Sequence, residues 1–254
     1  MDVAMMQPTF MPWQGFFELI YRSERFIFLD DFQFSVQSYH QRNRLFVNRG
    51  QIDWYTVSVK KPTSFKSPLN QTEINETVPW RKKMHKRIQQ NYSKAAYYTE
   101  VFPYVEKWLL TPAKSLAEQN IAFIRFVCEL LGFTRDFRFS SQYPSEADRS
   151  MRVLELLRWC GADRYFCAKG SFTYMHGDLV FPVNDIEVLF QDFKPKPYVQ
   201  IGSVVDFIPF LSVLDALLNI GPEKTAELIK AGTDRWLAWE EMAEANTIAT
   251  GGTF

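Results

Sequence analysis

The 254-residue sequence is poor in the residues on which many catalytic signatures depend, with three cysteines, three histidines and no surplus of either charge, 29 basic side chains facing 29 acidic ones. Cys128, Cys160 and Cys167 lack CxxC spacing and a partner set for zinc, so reduced thiols are expected. His40, His85 and His176 are too scattered to assemble a His-rich metal site or a Ser-His-Asp or Cys-His nucleophile. Zero net charge excludes a global field that would attract nucleic acid or an anionic membrane, so any anion site must be local. No apolar stretch reaches the roughly 18 residues of a membrane span, and no basic stretch followed by an apolar one opens the chain. A soluble, cytoplasmic protein without membrane insertion is expected; its oligomeric state is not legible.

Aromatic residues are plentiful: 23 Phe, 11 Tyr and 7 Trp, suited either to a core or to pockets that stack rings and sugar faces. A hydrophobic fraction of 46% is enough for a large core. One α/β domain over residues 1–254 is expected, with 33–112 as a hairpin and helical excursion.

Val3 to Met6 reads as a strand, Gln7 to Gly15 as a tight loop, and Phe16 to Tyr21 as a helix. Arg25 to Leu29 is a nearly continuous apolar strand that stops at Asp30-Asp31, completing a βαβ unit. Because ligands of open α/β sheets sit beyond the carboxyl ends of the strands, Gln7 to Gly15 and Asp30-Asp31 are predicted on one rim. Polar and apolar residues alternate around Leu45 to Val47 and Trp54 to Val59, with Asn48-Arg49-Gly50 as the turn of a hairpin, and Pro62 to Asn70 reads as a loop. Pro79 opens a helix whose apolar stripe is Trp80, Met84, Ile88 and Tyr92, and another helix covers Tyr97 to Leu110. Ser115 to Glu118 is a capping box for a helix that runs to Gly132. A strand over Phe137 to Phe139, a helix over Ser150 to Cys160, and strands over Arg164 to Ala168 and Ile186 to Phe190 follow. Leu211 to Ile220 and Glu223 to Ala231 are helices separated by Gly221-Pro222, and Thr247 to Thr253 is a frayed tail. The recurrence of strand, helix and strand predicts a three-layer, mostly parallel, Rossmann-like sheet.

Several blocks occur in the order of a known family. Met6-Gln7-Pro8-Thr9-Phe10-Met11-Pro12-Trp13-Gln14-Gly15-Phe16-Phe17 resembles the MQPxxxPWxGYF opening of WbqC-like proteins, and Phe28 to Phe34 resembles their next block. Arg42-Asn43-Arg44, Gln90 to Ala95 and Phe207 to Asp215 match as well, so the resemblance spans about Val3 to Glu227. Lys169 to Tyr174 departs from the Ser- or Gly-rich sequence that members commonly carry there. The resemblance implies a role beside O-antigen or other surface-polysaccharide biosynthesis, with glycine transfer a suggested activity.

Gln7, Pro12, Trp13 and Gly15 surround a helix N-terminus whose free N–H groups and dipole suit phosphate or carboxylate, with Gly15 permitting backbone approach; a structural turn is the alternative. The layout resembles the HIGH-motif nucleotidyltransferases, without their HxGH histidines. Asp30 and Asp31 are candidate catalytic residues, as general base or as Mg²⁺ ligands bridging nucleotide phosphates; alternatively they cap a helix or pair with Arg42 or Arg44. Arg42, Asn43 and Arg44 offer forked donors on one strand face for an anion, or surface ion pairs. Lys60 is a further anion ligand, and Asn91 and Tyr92 either contact substrate or finish their helix. Lys169 and Ser171 reach the same rim, while Ser212 and Asp215, one helical turn apart, either line one face of a site with Asn219 or belong to a capped and packed helix. The basic run from Arg81 to Arg87 contacts nucleic acid, tRNA included, or is a solvated face.

Three functions are compatible with these residues. The first is a transferase moving an aminoacyl or acyl group to an amino or hydroxyl acceptor on a nucleotide-linked sugar, with Gln7 orienting the acceptor. The others are an ATP-dependent adenylylating or nucleotidyl-transferring enzyme and a glycan- or nucleotide-binding accessory protein.

Overall fold

A computed structural model describes residues 1–47, 50–61, 67–201 and 207–250, the side chains of 247–250 excepted. Positions 48–49 of the predicted turn, 62–66 of the predicted loop and 251–253 of the predicted tail lie outside the described residues.

β1 (Asp2–Met6), α1 (Gln14–Arg22) and β2 (Arg25–Phe28) form the expected βαβ unit. The hairpin β3 (Arg42–Val47) and β4 (Gln51–Thr56) follows, then α2 (Trp80–Tyr92) and α3 (Tyr98–Leu110). α4 (Leu116–Leu131) leads to β5 (Asp136–Phe139), α5 (Arg149–Cys160) to β6 (Arg164–Ala168), and α6 (Phe172–Gly177) to β7 (Glu187–Gln191). α7 (Val213–Lys230), β8 (Leu237–Ala238) and α8 (Trp239–Thr250) complete the chain.

The six-stranded sheet has the order β5-β2-β1-β6-β7-β8, parallel except for β8. Counted among themselves, the five parallel strands stand in the order 3-2-1-4-5 of a doubly wound sheet. Alternate residues of β1 enter opposite cores, Ala4 facing α1, α4 and α7 and Val3 and Met5 facing α5, α6 and α8. The strand order reverses between β1 and β6, so a crevice opens beyond Met6 and Ala168.

Local rules explain most boundaries. Ser115 accepts from the Glu118 N–H at 3.2 Å, while the Glu118 carboxylate turns to the Lys114 N–H instead of completing the reciprocal bond. Gly132 and Gly161 end α4 and α5 at φ of 68° and 65°. Trp80, Met84, Ile88 and Tyr92 are all buried on one face of α2, each such burial contributing about 1.5–3 kcal/mol. Gly221 interrupts α7 with φ 80° and ψ 171°, where two helices were predicted.

Other predictions are corrected. The second hairpin strand spans Gln51–Thr56 rather than Trp54 to Val59, and Val59 makes only an isolated bridge to Ile74. Its register is set from the turn side, where Val47 pairs with Gln51. Residues 247–250 continue α8 instead of fraying, and α6, α8 and β8 are elements that patterning did not reveal.

Candidate functional site

The loop from Gln7 to Trp13 is held by side chains from distant parts of the chain. The Asn120 amide donates to the carbonyls of Pro8 and His40, both at 2.8 Å, and the Asn43 amide donates to Phe10 at 3.2 Å and Met11 at 2.8 Å. These bonds stabilise Met11 at φ 43°, a conformation unusual for a side chain with a Cβ. The Val213 N–H donates to Pro12 at 2.8 Å, and Trp13 bridges to Ser212, so α7 closes the loop from outside. Asn43 and Pro12 are therefore engaged in shaping the loop.

Gly15 has a local reason. A Cβ there would lie 2.3 Å from a ring carbon of Trp13, so the indole occupies the space that a ligand was expected to use. Trp13 also meets Phe193 and Phe210 with ring centroids 5.0 Å and 5.4 Å apart.

Gln7 leaves β1 at the crevice. The Ser35 N–H donates to His40 Nδ1 at 3.1 Å, so Nε2 carries the proton and donates to Gln7 Oε1 at 3.0 Å. Burial lowers the His40 pKa to about 4, which keeps the ring neutral in this clasp.

Asp30 and Asp31 follow β2 but do not pair with Arg42 or Arg44. Asp30 accepts from the Ser141 hydroxyl at 2.8 Å and its N–H at 3.1 Å, and Asp31 accepts from Ser140 and from the buried Arg152 at 3.2 Å. The acids thus tie the end of β2 to the end of β5. Among the described residues no three His, Cys, Asp or Glu side chains gather to hold a metal, and a cation at Asp31 would compete with Arg152.

Two cavities flank Met6 at the end of β1. The one on the α5 and α6 side has about 420 Å³, with Met5, Leu29 and Val153 as apolar wall and Gln7, Arg149, Ser171 and Tyr174 as polar groups. Tyr165 lines it too, and burial raises the pKa of both Tyr165 and Tyr174, keeping the phenols protonated. Arg149 pairs with Asp178 at 2.8 Å, and Asp178 also accepts from the Ser150 hydroxyl at the start of α5. The opposite cavity has about 380 Å³ and is walled by Trp13, Phe16, Tyr39 and Phe210, with Thr9, Asn43 and Arg44 as its polar groups. Neither lining includes a carboxylate, so both favour neutral or anionic ligands.

Arg42 and Arg44 share a face, as alternate strand residues do, and both guanidinium groups approach the Trp54 ring, at 4.3 Å and 6.0 Å from its centroid. Only Arg44 lines a cavity beside Met6. Lys169 pairs with Asp192 at 2.8 Å on the crevice's edge, and Lys60 pairs with Glu73 at 2.6 Å in the excursion, away from it.

Asn91, Tyr92 and Asp215 are brought together, but in the interior. Asp215 is fully buried and accepts from Tyr92 and Tyr198 at 2.7 Å each, Gln200 at 2.9 Å and Asn219 at 3.2 Å. Burial, without a cation beside it, raises the Asp215 pKa. Tyr92 in turn accepts from the Phe46 N–H, and Asn91 donates to Tyr55, so this network fastens α2 and the hairpin to α7. Ser212 caps α7 through the Leu214 N–H at 3.3 Å.

Several participants escaped sequence reasoning. Glu18, buried on α1, accepts from Gln191 at 2.7 Å and the Thr233 N–H at 2.8 Å, and burial raises its pKa. A lone acid within Phe16 to Ile20 was its available signal. Arg149, Arg152, Tyr165 and Tyr174 carry no local signature, since only the crossover to β6 brings them beside β1 and β2.

Comparison with known proteins gives one family. The model of the WbqC-like protein family matches residues 7–227. The chain is similar to the uncharacterized protein Rv1507c of Mycobacterium tuberculosis (strain ATCC 25618 / H37Rv), 28% identical over 223 residues that cover 87% of this chain and 94% of that one. No solved structure matches.

Proposed function

The chain belongs to the WbqC-like protein family, and from that premise we propose an acyl or aminoacyl transferase of surface-glycan biosynthesis that accepts a nucleotide-linked sugar at the end of β1. The carrying observation is the pair of acid-free cavities on either side of Met6, at the reversal of strand order. Arg149 supplies a cation for a phosphate beside Gln7 and Ser171, while the exposed rings of Tyr39 and Phe210, with Arg44 beside them, suit a sugar face.

In this reading the acceptor's hydroxyl or amine attacks the donor's carbonyl carbon. A new C–O or C–N bond forms, the proton passes through a water to Asp31, which stands outside the cavity lining, and the bond to the donor's leaving group breaks. Asp31 is the more exposed of the two acids and stands in sequence between Leu29 and Phe32, which both line the first cavity. Tyr165 and Tyr174, protonated through burial, offer O–H groups to developing negative charge.

The test is calorimetric titration with nucleotide-sugars. Saturable binding that weakens about tenfold or more in both Arg149→Ala and Arg44→Ala is expected, with Asp31→Asn retaining affinity but losing turnover. Equal affinity in wild type and both arginine variants would sink the assignment. The strand order also favours an ATP-dependent adenylylating enzyme; pyrophosphate released from ATP and a candidate acid, with no nucleotide-sugar binding, is the result that selects it. Nucleotide-sugar binding that persists in Asp31→Asn together with an unchanged cellular phenotype selects an accessory, non-catalytic role.

A further inference from the structure

We propose a second ligand site in the excursion, built for an amphipathic anion, an aliphatic or acyl chain that ends in a phosphate. Between the end of β4 and α2 lies a cavity of about 640 Å³, within the size range of pockets that enclose small molecules. Its floor is apolar, with Val57, Val59, Val78, Trp80 and Met84 buried or half-buried along it. Its rim holds Lys60, Lys61, Lys83 and Arg87.

The charge distribution carries the argument. The whole chain is neutral, with 29 basic and 29 acidic residues, yet this lining has four cations and no carboxylate. Lys60 is paired with Glu73 and Arg87 with Asp53, but those acids stand outside the lining. Lys61 and Lys83 are exposed and have no acidic partner among the described residues. An apolar chain would gain by leaving water along the valines, and its phosphate would meet the two free ammonium groups. An inorganic anion could use only the rim and a neutral alcohol only the floor, so both parts of the ligand are needed. Trp54 joins this wall to the nucleotide-sugar cavity, since its ring meets Tyr39 at 5.6 Å. The proposal does not depend on the transferase reading.

Hexyl phosphate, inorganic phosphate and hexanol are the probes, titrated calorimetrically into the full chain. Hexyl phosphate is expected to saturate one site, with the other two binding at least about tenfold more weakly and its affinity falling as salt is added. Lys61→Glu/Lys83→Glu, two exposed positions, is expected to weaken hexyl phosphate about tenfold or more while the urea-unfolding midpoint is unchanged. Affinity equal in wild type and the double variant, inorganic phosphate as tight as hexyl phosphate, or no saturable binding would each overturn the site. The salt and chain comparisons are made on wild type, so they decide the question even if the double variant folds poorly.

Discussion

At the residue scale, a buried neutral imidazole holds Gln7 at the rim. His40 accepts from Ser35 and donates to Gln7, an arrangement that requires the neutral ring. Its pKa falls from the ordinary 6.5 to about 4 on folding, so between those values the unfolded chain binds more protons than the native one. Stability from His40 is therefore fully present above pH 6.5 and is lost as pH falls toward 4. Glu18 and Asp215 act in the opposite sense, because burial raises both carboxyl groups and the stability they govern falls as pH rises above the usual carboxylate range. A comparison of wild type with His40→Gln cancels those acids. Urea unfolding between pH 7.5 and 4.5 should show wild type losing on the order of 2 kcal/mol more than the variant. Parallel pH curves would mean that His40 is not held neutral.

At the element scale, the loop into α1 is shaped by packing against its own residues. Trp13 lies across Gly15, and the nearest ring carbon is 2.3 Å from where a Cβ would stand. Gly15→Ala should cost about 2 kcal/mol in urea unfolding, and less than about 0.5 kcal/mol in a Trp13→Leu background, where the bulky ring is gone. An equal cost in both backgrounds would show that the indole is not the reason for the glycine. Gly15 signals close approach in the sequence, and the group that approaches is the neighbouring Trp13 ring, which periodicity and composition do not name. Helices with strong local signals were legible, α4 from Ser115 and Gly132 and α2 from its four buried residues. α6 and β8 were not, being 6 and 2 residues long with little room for periodicity. Asp30 and Asp31 were rightly put at a strand end, but their partners Ser140, Ser141 and Arg152 come from beyond 100 positions away in sequence, where patterning carries no information about contact.

At the scale of the whole molecule, the excursion between β2 and α4 shares its core with the sheet. Leu45, Phe46, Trp80 and Tyr92 belong to the same buried cluster as Ala4, Phe26 and Phe28. Polar ties repeat the connection: Gln7 to His40, Asn120 to Pro8 and His40, and Tyr92 to Asp215. The excursion therefore has much of its apolar surface covered only when the sheet is formed, and we propose that the chain is one folding unit. Hydrogen exchange in increasing urea tests this, reading peptides from β3, α2 and α3 against peptides from β1 and β6. Their openings should merge at one denaturant concentration, and Asp215→Asn, which replaces a four-donor acceptor with an amide, should lower both sets together. If excursion peptides open at a distinctly lower concentration while the strands stay protected, the excursion is a separate unit. Arg44 and Tyr39 would then reach the cavity beside Met6 only while that unit is closed, and binding of a nucleotide-sugar should raise the excursion's protection selectively. In the single-unit case the same ligand raises both sets by equal amounts.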